Sequence, residues 1–189
     1  MTALDSQPVE KNFLSPHNFK FLLRRAPNIE YFIQRVNLPG VSSEPVEGQS
    51  PFVLQPFSGG PAVYEPLQVT FKVTENLMDY LELYNWFHAY HHTTNFKEYG
   101  NLKYLPSYSD KSLRSEIVLV ILDSSKVPSF QITYHDAFPF SIGAVEFTSD
   151  NNDVEYAICT AIFKYHYFEI ENLKAGTPVP DPDDIITSN

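Results

Sequence analysis

A mainly β fold, with two packed antiparallel sheets forming a sandwich or barrel and one flanking helix, is predicted by three observations. Aromatic residues make up 15% of the chain, with 12 Tyr and 15 Phe against a single Trp, and planar rings suit a pleated, half-buried surface. Alternation of period two recurs along the sequence. Fifteen prolines punctuate the segments between. At 189 residues and 43% hydrophobic, the chain is long enough for one sizeable core and short for two, so a single domain is expected. The expected layout is an N-terminal arm over 1–16, a β domain over 17–170 with a long loop at 41–65 and a helix at 75–91, and an acidic, proline-rich tail over 171–189.

Between His17 and Arg25, Phe19, Phe21 and Leu23 alternate with Lys20, Leu22 and Arg24, the period of a half-buried strand. Ala26-Pro27-Asn28 interrupts it. Alternation resumes over 29–38 with apolar residues on both sides, as in a strand covered from two directions. Pro39-Gly40 predicts a tight turn. Residues 41–65 then carry Pro45, Pro51, Pro56, Pro61, Gly48, Gly59 and Gly60, a density that excludes a long central strand and predicts an extended loop. That loop is not polar. Val46, Phe52, Val53, Leu54, Phe57 and Tyr64 lie in it, and apolar groups on an extended loop are expected to be covered by a partner.

Residues 67–74 hold the cleanest alternation, Leu67, Val69, Phe71 and Val73 inward against Gln68, Thr70, Lys72 and Thr74. Thr74 or Asn76 can cap the helix that follows, with Glu75 and Asp79 where the macrodipole favours negative charge. Leu77, Tyr80, Leu81, Tyr84 and His88 fall at helical spacing on one face, and Leu83, Trp86, Phe87 and Tyr90 widen the stripe. The expected core and helix-packing residues are Phe71, Leu77, Leu81, Tyr84, Trp86 and Leu119. Residues 93–114 show no sustained period and read as an irregular excursion. The run Ile117-Val118-Leu119-Val120-Ile121-Leu122 predicts a central strand covered on both faces. After the turn at Asp123-Ser124-Ser125-Lys126, short strands are expected at 130–134, 136–142 and 144–148, followed by a polar turn at 149–153. A last long strand is expected at 154–168, where small Ala157, Cys159 and Ala161 would let the helix pack closely.

Composition narrows the function. Thirteen Lys and Arg against 23 Asp and Glu give a net charge of −10, which argues against the basic footprint of a tight nucleic-acid binder. The single cysteine, Cys159, has no partner for an intramolecular disulfide, so a reducing compartment is expected. The first ten residues read as neither a signal nor a transit peptide, and no run reaches the ~18 apolar residues of a membrane helix. A soluble protein, made in the cytoplasm and without membrane attachment, is expected.

Chemistry has little foothold. His88-x-x-His91-His92 places imidazoles one turn apart, but no further ligand stands near at a metal spacing, and histidines suit a helix C-terminus for the macrodipole alone. Asp181-Pro182-Asp183-Asp184 lacks the glycine turn and distal glutamate of a calcium loop and reads as a solvated tail. Cys159 sits mid-strand among apolar residues, the setting of a structural thiol. Asp150 and Asp153 lie in a turn of the kind Asx residues build for backbone reasons. No nucleophile elbow, dinucleotide fingerprint or phosphate loop is present in the sequence. No catalytic, cofactor-binding or metal-binding residue is therefore assigned, and no cofactor.

The order of signals is more informative than any one of them. A strand runs into Leu38-Pro39-Gly40, and a long loop leads to Tyr64-Glu65-Pro66-Leu67-x-Val69-x-Phe71. A Trp86-bearing helix, the apolar strand at 117–122, Phe138-Pro139-Phe140-Ser141-Ile142, an acidic turn and Phe163-Lys164-Tyr165 complete the string. Over roughly residues 19–168 it resembles the tail tube proteins of contractile-tailed bacteriophages. The resemblance implies a β-sandwich or barrel with a flanking helix, related in fold to the Hcp tube of type VI secretion. It implies a virion structural protein, made in the host cytoplasm, whose hexameric rings stack into a hollow tube through which double-stranded DNA leaves the capsid. Sheath, baseplate and terminator proteins would be its partners. Val46, Phe52, Val53, Leu54, Phe57 and Tyr64 would then touch the next ring, the long strands would supply lateral contacts, and acidic groups lining the lumen would let DNA slide. Alternatives are a baseplate tube initiator or a tail terminator of the same fold. From another class, a soluble β-sandwich binding module would use the aromatic stretch 99–108.

Overall fold

The computed structural model describes residues 12–48, 52–91, 113–148 and 156–173. Expectations on 93–112, 149–155 and 174–189, including Asp150, Asp153 and the acidic tail, fall outside the described residues. Within them the chain is mainly β with one main helix. The strands are β1 (Phe19–Leu23), β2 (Ile33–Val36), β3 (Val41–Ser43), β4 (Val46–Gly48), β5 (Gln55–Phe57), β6 (Ala62–Tyr64), β7 (Leu67–Lys72), β8 (Ser115–Leu122), β9 (Pro128–Ile142), β10 (Ile158–Lys164) and β11 (Tyr167–Asn172). The helices are the single turn α1 (Pro27–Glu30) and α2 (Met78–His91). Hydrogen bonding orders the main sheet β1-β8-β9-β10-β7-β2, with β11 also on β9, while β3 pairs with β6 and β4 with β5.

The chain groups into two compact units, one of residues 1–20, 119–132 and 170–189, the other of 21–118 and 133–169. In the first, the expected turn at 123–126 closes β8 onto β9. Asp123 Oδ1 accepts the Ser125 and Val127 amides at 2.8 and 3.0 Å, and Lys126 takes a left-handed φ of 61°. The Leu122 amide donates to the Asn18 carbonyl at 3.0 Å and the Leu173 amide to that of Ser129 at 2.8 Å. Both bonds tie distant ends of the chain to this turn.

In the second unit β7 is the centre. Val69 pairs with Ala161 of β10 and Val36 of β2, and Phe71 with Cys159 and Ile33. Cα partners share a face, so Leu67, Val69, Phe71, Cys159, Ala161 and Phe163 form one continuous buried surface. Helix α2 covers it with Leu83, Trp86 and Ala89, all buried, and the rings of Trp86 and Phe163 lie 6.0 Å apart. Each large apolar side chain buried there contributes about 1.5–3 kcal/mol. The Trp86 indole also donates to the Leu113 carbonyl at 2.7 Å, so its polar edge is satisfied as it is buried.

The start of α2 shows why the packing stripe differs from expectation. Leu77 adopts a left-handed φ of 54°, so the helix begins at Met78 rather than 75, and Asn76 Oδ1 accepts the Met78 amide at 3.3 Å. Asp79, fully buried, accepts the Thr74 amide at 3.0 Å, and its other oxygen lies 3.0 Å from the Thr74 hydroxyl. A carboxylate satisfied at the positive helix end thereby begins the inward stripe Asp79, Leu83, Trp86, Ala89. Leu77, Leu81 and Tyr84, expected to pack, lie on other faces and are 39, 43 and 45% exposed, whereas Phe71, Trp86 and Leu119 are buried.

Other expectations are corrected. The predicted strand at 29–38 is the single turn α1, set by Pro27 at its first position, followed by the short β2 at the sheet edge. Among the described residues nothing covers its second face, and Tyr31 is 83% exposed. The strands expected at 130–134 and 136–142 are one strand, β9, kinked where Asp136 takes a φ of 56°. Residues 144–148 form no strand. The last predicted strand is β10 and β11, separated at Tyr165-His166.

Candidate assembly surfaces

Within the stretch 41–65, expected as a loop, residues 41–48 and 55–64 form the two arms of a two-part β-ladder, a hairpin. Val41, Ser42 and Ser43 pair with Tyr64, Val63 and Ala62, and Val46, Glu47 and Gly48 pair with Phe57, Pro56 and Gln55. Between the two ladders Glu44-Pro45 opposes the four residues 58–61, so Pro45 and Pro61 sit at the interruption, while Pro56 pairs with Glu47 inside the short outer ladder. Gly60 is required there: a Cβ at that position would meet the Glu44 carbonyl oxygen at 2.0 Å. The Ser43 hydroxyl donates to the Gly60 carbonyl at 3.1 Å across the same gap.

The hairpin leaves its apolar side chains in solvent. Phe52 is 94% exposed, and Val46, Val53, Leu54, Phe57 and Val63 are all more than half exposed. Of the six residues expected to form the contact between rings, only Tyr64 is half-buried, because it belongs to the root. Isolated exposed hydrophobes need no explanation, whereas this many on one short hairpin form an exposed apolar patch.

The root of the hairpin is held from three parts of the sequence. Gly40 and Glu65 bond reciprocally, the Glu65 amide to the Gly40 carbonyl at 3.0 Å and the Gly40 amide to the Glu65 carboxylate at 3.2 Å. The Tyr64 ring meets Tyr165 and Phe168 edge-on at 6.0 and 5.6 Å, and Tyr134 meets the same two rings at 5.0 and 5.7 Å. The Tyr165 hydroxyl donates to the Glu65 carbonyl at 2.8 Å. Edge-to-face pairs contribute about 0.5–1.5 kcal/mol each beyond burial, so the cluster stiffens the point where the hairpin leaves the sheet. This anchor was not read from the sequence. Its only trace is Tyr64 beside the strand break at Tyr165, and nothing local joins them.

Burial, reinforced by the neighbouring Tyr64 and Glu65, pushes the Tyr165 phenol up to about 12, and burial likewise raises Tyr134. A group whose proton is held more tightly in the folded chain stabilises fully below its ordinary value, here about 10, and the stabilisation is lost as pH rises through the folded value. The urea midpoint should therefore hold to about pH 10 and fall toward pH 12, and Tyr165→Phe should flatten part of that fall. Equal steepness in the variant would show that Tyr165 does not link to folding.

A second surface is the sheet edge. Among the described residues β2 pairs with β7 alone and β1 with β8 alone, and Tyr31, Phe32 and Leu38 beside β2 and Leu22 on β1 are exposed.

The residues that carried possible chemistry are placed apart. The His91 Nε2 lies 3.0 Å from the Pro139 carbonyl oxygen, whereas His88 stacks on Tyr84 at 5.8 Å. His92 lies outside the described residues. The Cys159 thiol is buried 3.5 Å from the Gly143 carbonyl oxygen, and burial together with the Asp79 charge pushes it up to about 11, so it is protonated at neutral pH and no nucleophile. Among the described residues no group of three His, Cys, Asp or Glu is placed to hold a metal ion. None of the described helices is long and apolar enough to cross a membrane.

The described residues thus form antiparallel β-structure with the main helix packed on the β7 and β10 face and an exposed apolar hairpin on an aromatic root. The chain belongs to the phage tail tube protein family, whose profile matches residues 6–171. It is 30% identical over 109 residues to the tail tube terminator protein of Enterobacteria phage T4, an alignment spanning 57% of this chain and 57% of that relative. Among solved structures, the tube terminating cap of the anti-feeding prophage aligns with a TM-score of 0.57 at 10% identity, covering 91% of this chain and 99% of that one. A chain of the six-fold symmetrised baseplate of the same particle gives 0.55 at 14% identity, covering 88% and 99%. The sheath/tube terminator structure of an extracellular contractile injection system gives 0.51 at 11%, covering 87% and 99%. At these identities the structures establish a shared fold.

Proposed function

We propose that the chain is a tube terminator: a ring-forming subunit, hexameric in its assembled state, that closes one end of a contractile tail tube and contacts tube and sheath there. The observation that carries this reading is the match to the T4 tail tube terminator protein, and the fold shared with a tube terminating cap and a sheath/tube terminator supports it. It departs from the repeating tube subunit expected from the sequence string. The apolar hairpin would seat on the adjoining ring, and the open edges of β1 and β2 would join neighbouring subunits. DNA leaving the capsid would pass through the ring.

The repeating tube protein is the second reading, favoured by the family to which the chain belongs. Negative-stain electron microscopy of the purified protein separates the two. A terminator should give uniform rings that do not lengthen with concentration. Long tubes would replace this reading with the repeating tube subunit, and a monomer at high concentration would sink both.

A further inference from the structure

We propose that the open face of the β2, β7 and β10 layer binds the phosphate backbone of double-stranded DNA. The register defines this face. Arg35 pairs with Thr70, Thr70 pairs with Thr160, and Lys72 and Lys164 lie two and four residues along the same sides of β7 and β10. The opposite side of the layer is the buried surface under α2, so these side chains point away from the core.

Three features distinguish the face. The segments of β2, β7 and β10 contain three cations and no Asp or Glu, in a chain whose net charge is −10. None of Arg35, Lys72 and Lys164 forms an ion pair with another described residue. Both lysines rest on aromatic rings, Lys72 Nζ 4.4 Å from the Tyr156 ring centre and Lys164 Nζ 5.2 Å from that of Phe140. The Phe140 platform exists because β9 carries one extra residue opposite Ile162-Phe163, a bulge that leaves Phe140 exposed. The rings hold ammonium groups in place without neutralising them.

The ligand class follows from the layout. The cations spread over three strands at ~4.8 Å spacing, with Lys72 and Lys164 ~20 Å apart along the strand direction. Scattered positive points matched to a repeating charge suit a phosphodiester backbone, read without regard to sequence. The bound sign is opposite to that of the acid-lined channel expected from net charge. In a terminator ring each subunit would contribute one such face to the DNA, so the inference rests on the proposed ring for its setting.

The test is fluorescence anisotropy of a ~25-base-pair duplex with the full chain, comparing wild type with Arg35→Gln/Lys72→Gln/Lys164→Gln at ~50 and ~200 mM salt. With about 0.9 of log-log salt slope per neutralised phosphate, three contacts per chain predict an affinity loss of about 40-fold over that range in wild type. The triple variant should bind at least about 10-fold more weakly at low salt with a shallower slope. Absence of duplex binding by wild type, equal binding by the variant, or tighter binding to poly-glutamate than to duplex would overturn the proposal. Electron microscopy of the same samples keeps the two readings separate. Rings without DNA binding refute this inference alone, whereas variant-sensitive DNA binding without rings refutes the ring alone.

Discussion

Replacing Trp86 by alanine is expected to destabilise the chain by about 3–5 kcal/mol, seen as a lower urea midpoint by far-UV circular dichroism at unchanged slope. Trp86 is only 2% exposed, packs on Phe163 at 6.0 Å, donates to the Leu113 carbonyl at 2.7 Å and lies under the Arg25 guanidinium at 5.8 Å. Truncation therefore opens a cavity between α2 and the sheet and leaves a buried carbonyl without its donor, two losses that add. Trp86→Phe retains most of the volume and should lose less. A cost for the alanine variant below about 1 kcal/mol would mean that α2 is not a principal cover of the β7 and β10 face.

The second large effect concerns assembly rather than folding. Val46 and Phe57 face each other across the hairpin ladder and both are more than half exposed in the isolated chain. Val46→Asp with Phe57→Asp is expected to change folding stability little, within about 0.5 kcal/mol per site. Seated against another ring, the same pair would place two unpaired carboxylates in an apolar contact, which costs several kcal/mol and should weaken association by at least about 100-fold. Sedimentation of wild type and variant over a concentration series reads this directly. Identical profiles would remove the hairpin from the interface and favour the soluble binding module, for which deletion of residues 52–60 should likewise leave the oligomeric state unchanged.

Both predictions depend on features that the amino-acid sequence exposed to different degrees. The alternation from Leu67 to Lys72 and the apolar run ending at Leu122 are local signals, and the structure builds strands on both. The 3.6-residue pattern located α2 but not its packing face. Leu and Tyr occupy so much of the helix circumference that Leu81 and Tyr84 look as apolar as Leu83 and Trp86. The choice was made by Asp79, a charged residue that the pattern assigns to solvent and that capping bonds to Thr74 draw inside. The hairpin at 41–64 escaped for the opposite reason. Its prolines argue against a central ladder, yet Pro45 and Pro61 fall between two short ladders and Pro56 lies within the outer one, a placement visible only once strand partners are known.

The sequence by itself determined the class: enough alternating aromatic and β-branched residues to require antiparallel sheets, one helix bearing Trp86, and an apolar stretch at 41–65 unsuited to solvent. These are properties of near neighbours in the chain, and period and composition carry them. Only the tertiary structure decided how the surfaces are arranged. It joined Tyr64, Tyr134, Tyr165 and Phe168 into the hairpin's anchor, and it gathered Arg35, Lys72 and Lys164 on one face of three strands whose segments hold no carboxylate. Strand register sets which distant residues share a face, and a shift of one residue would send each of those side chains to the other side.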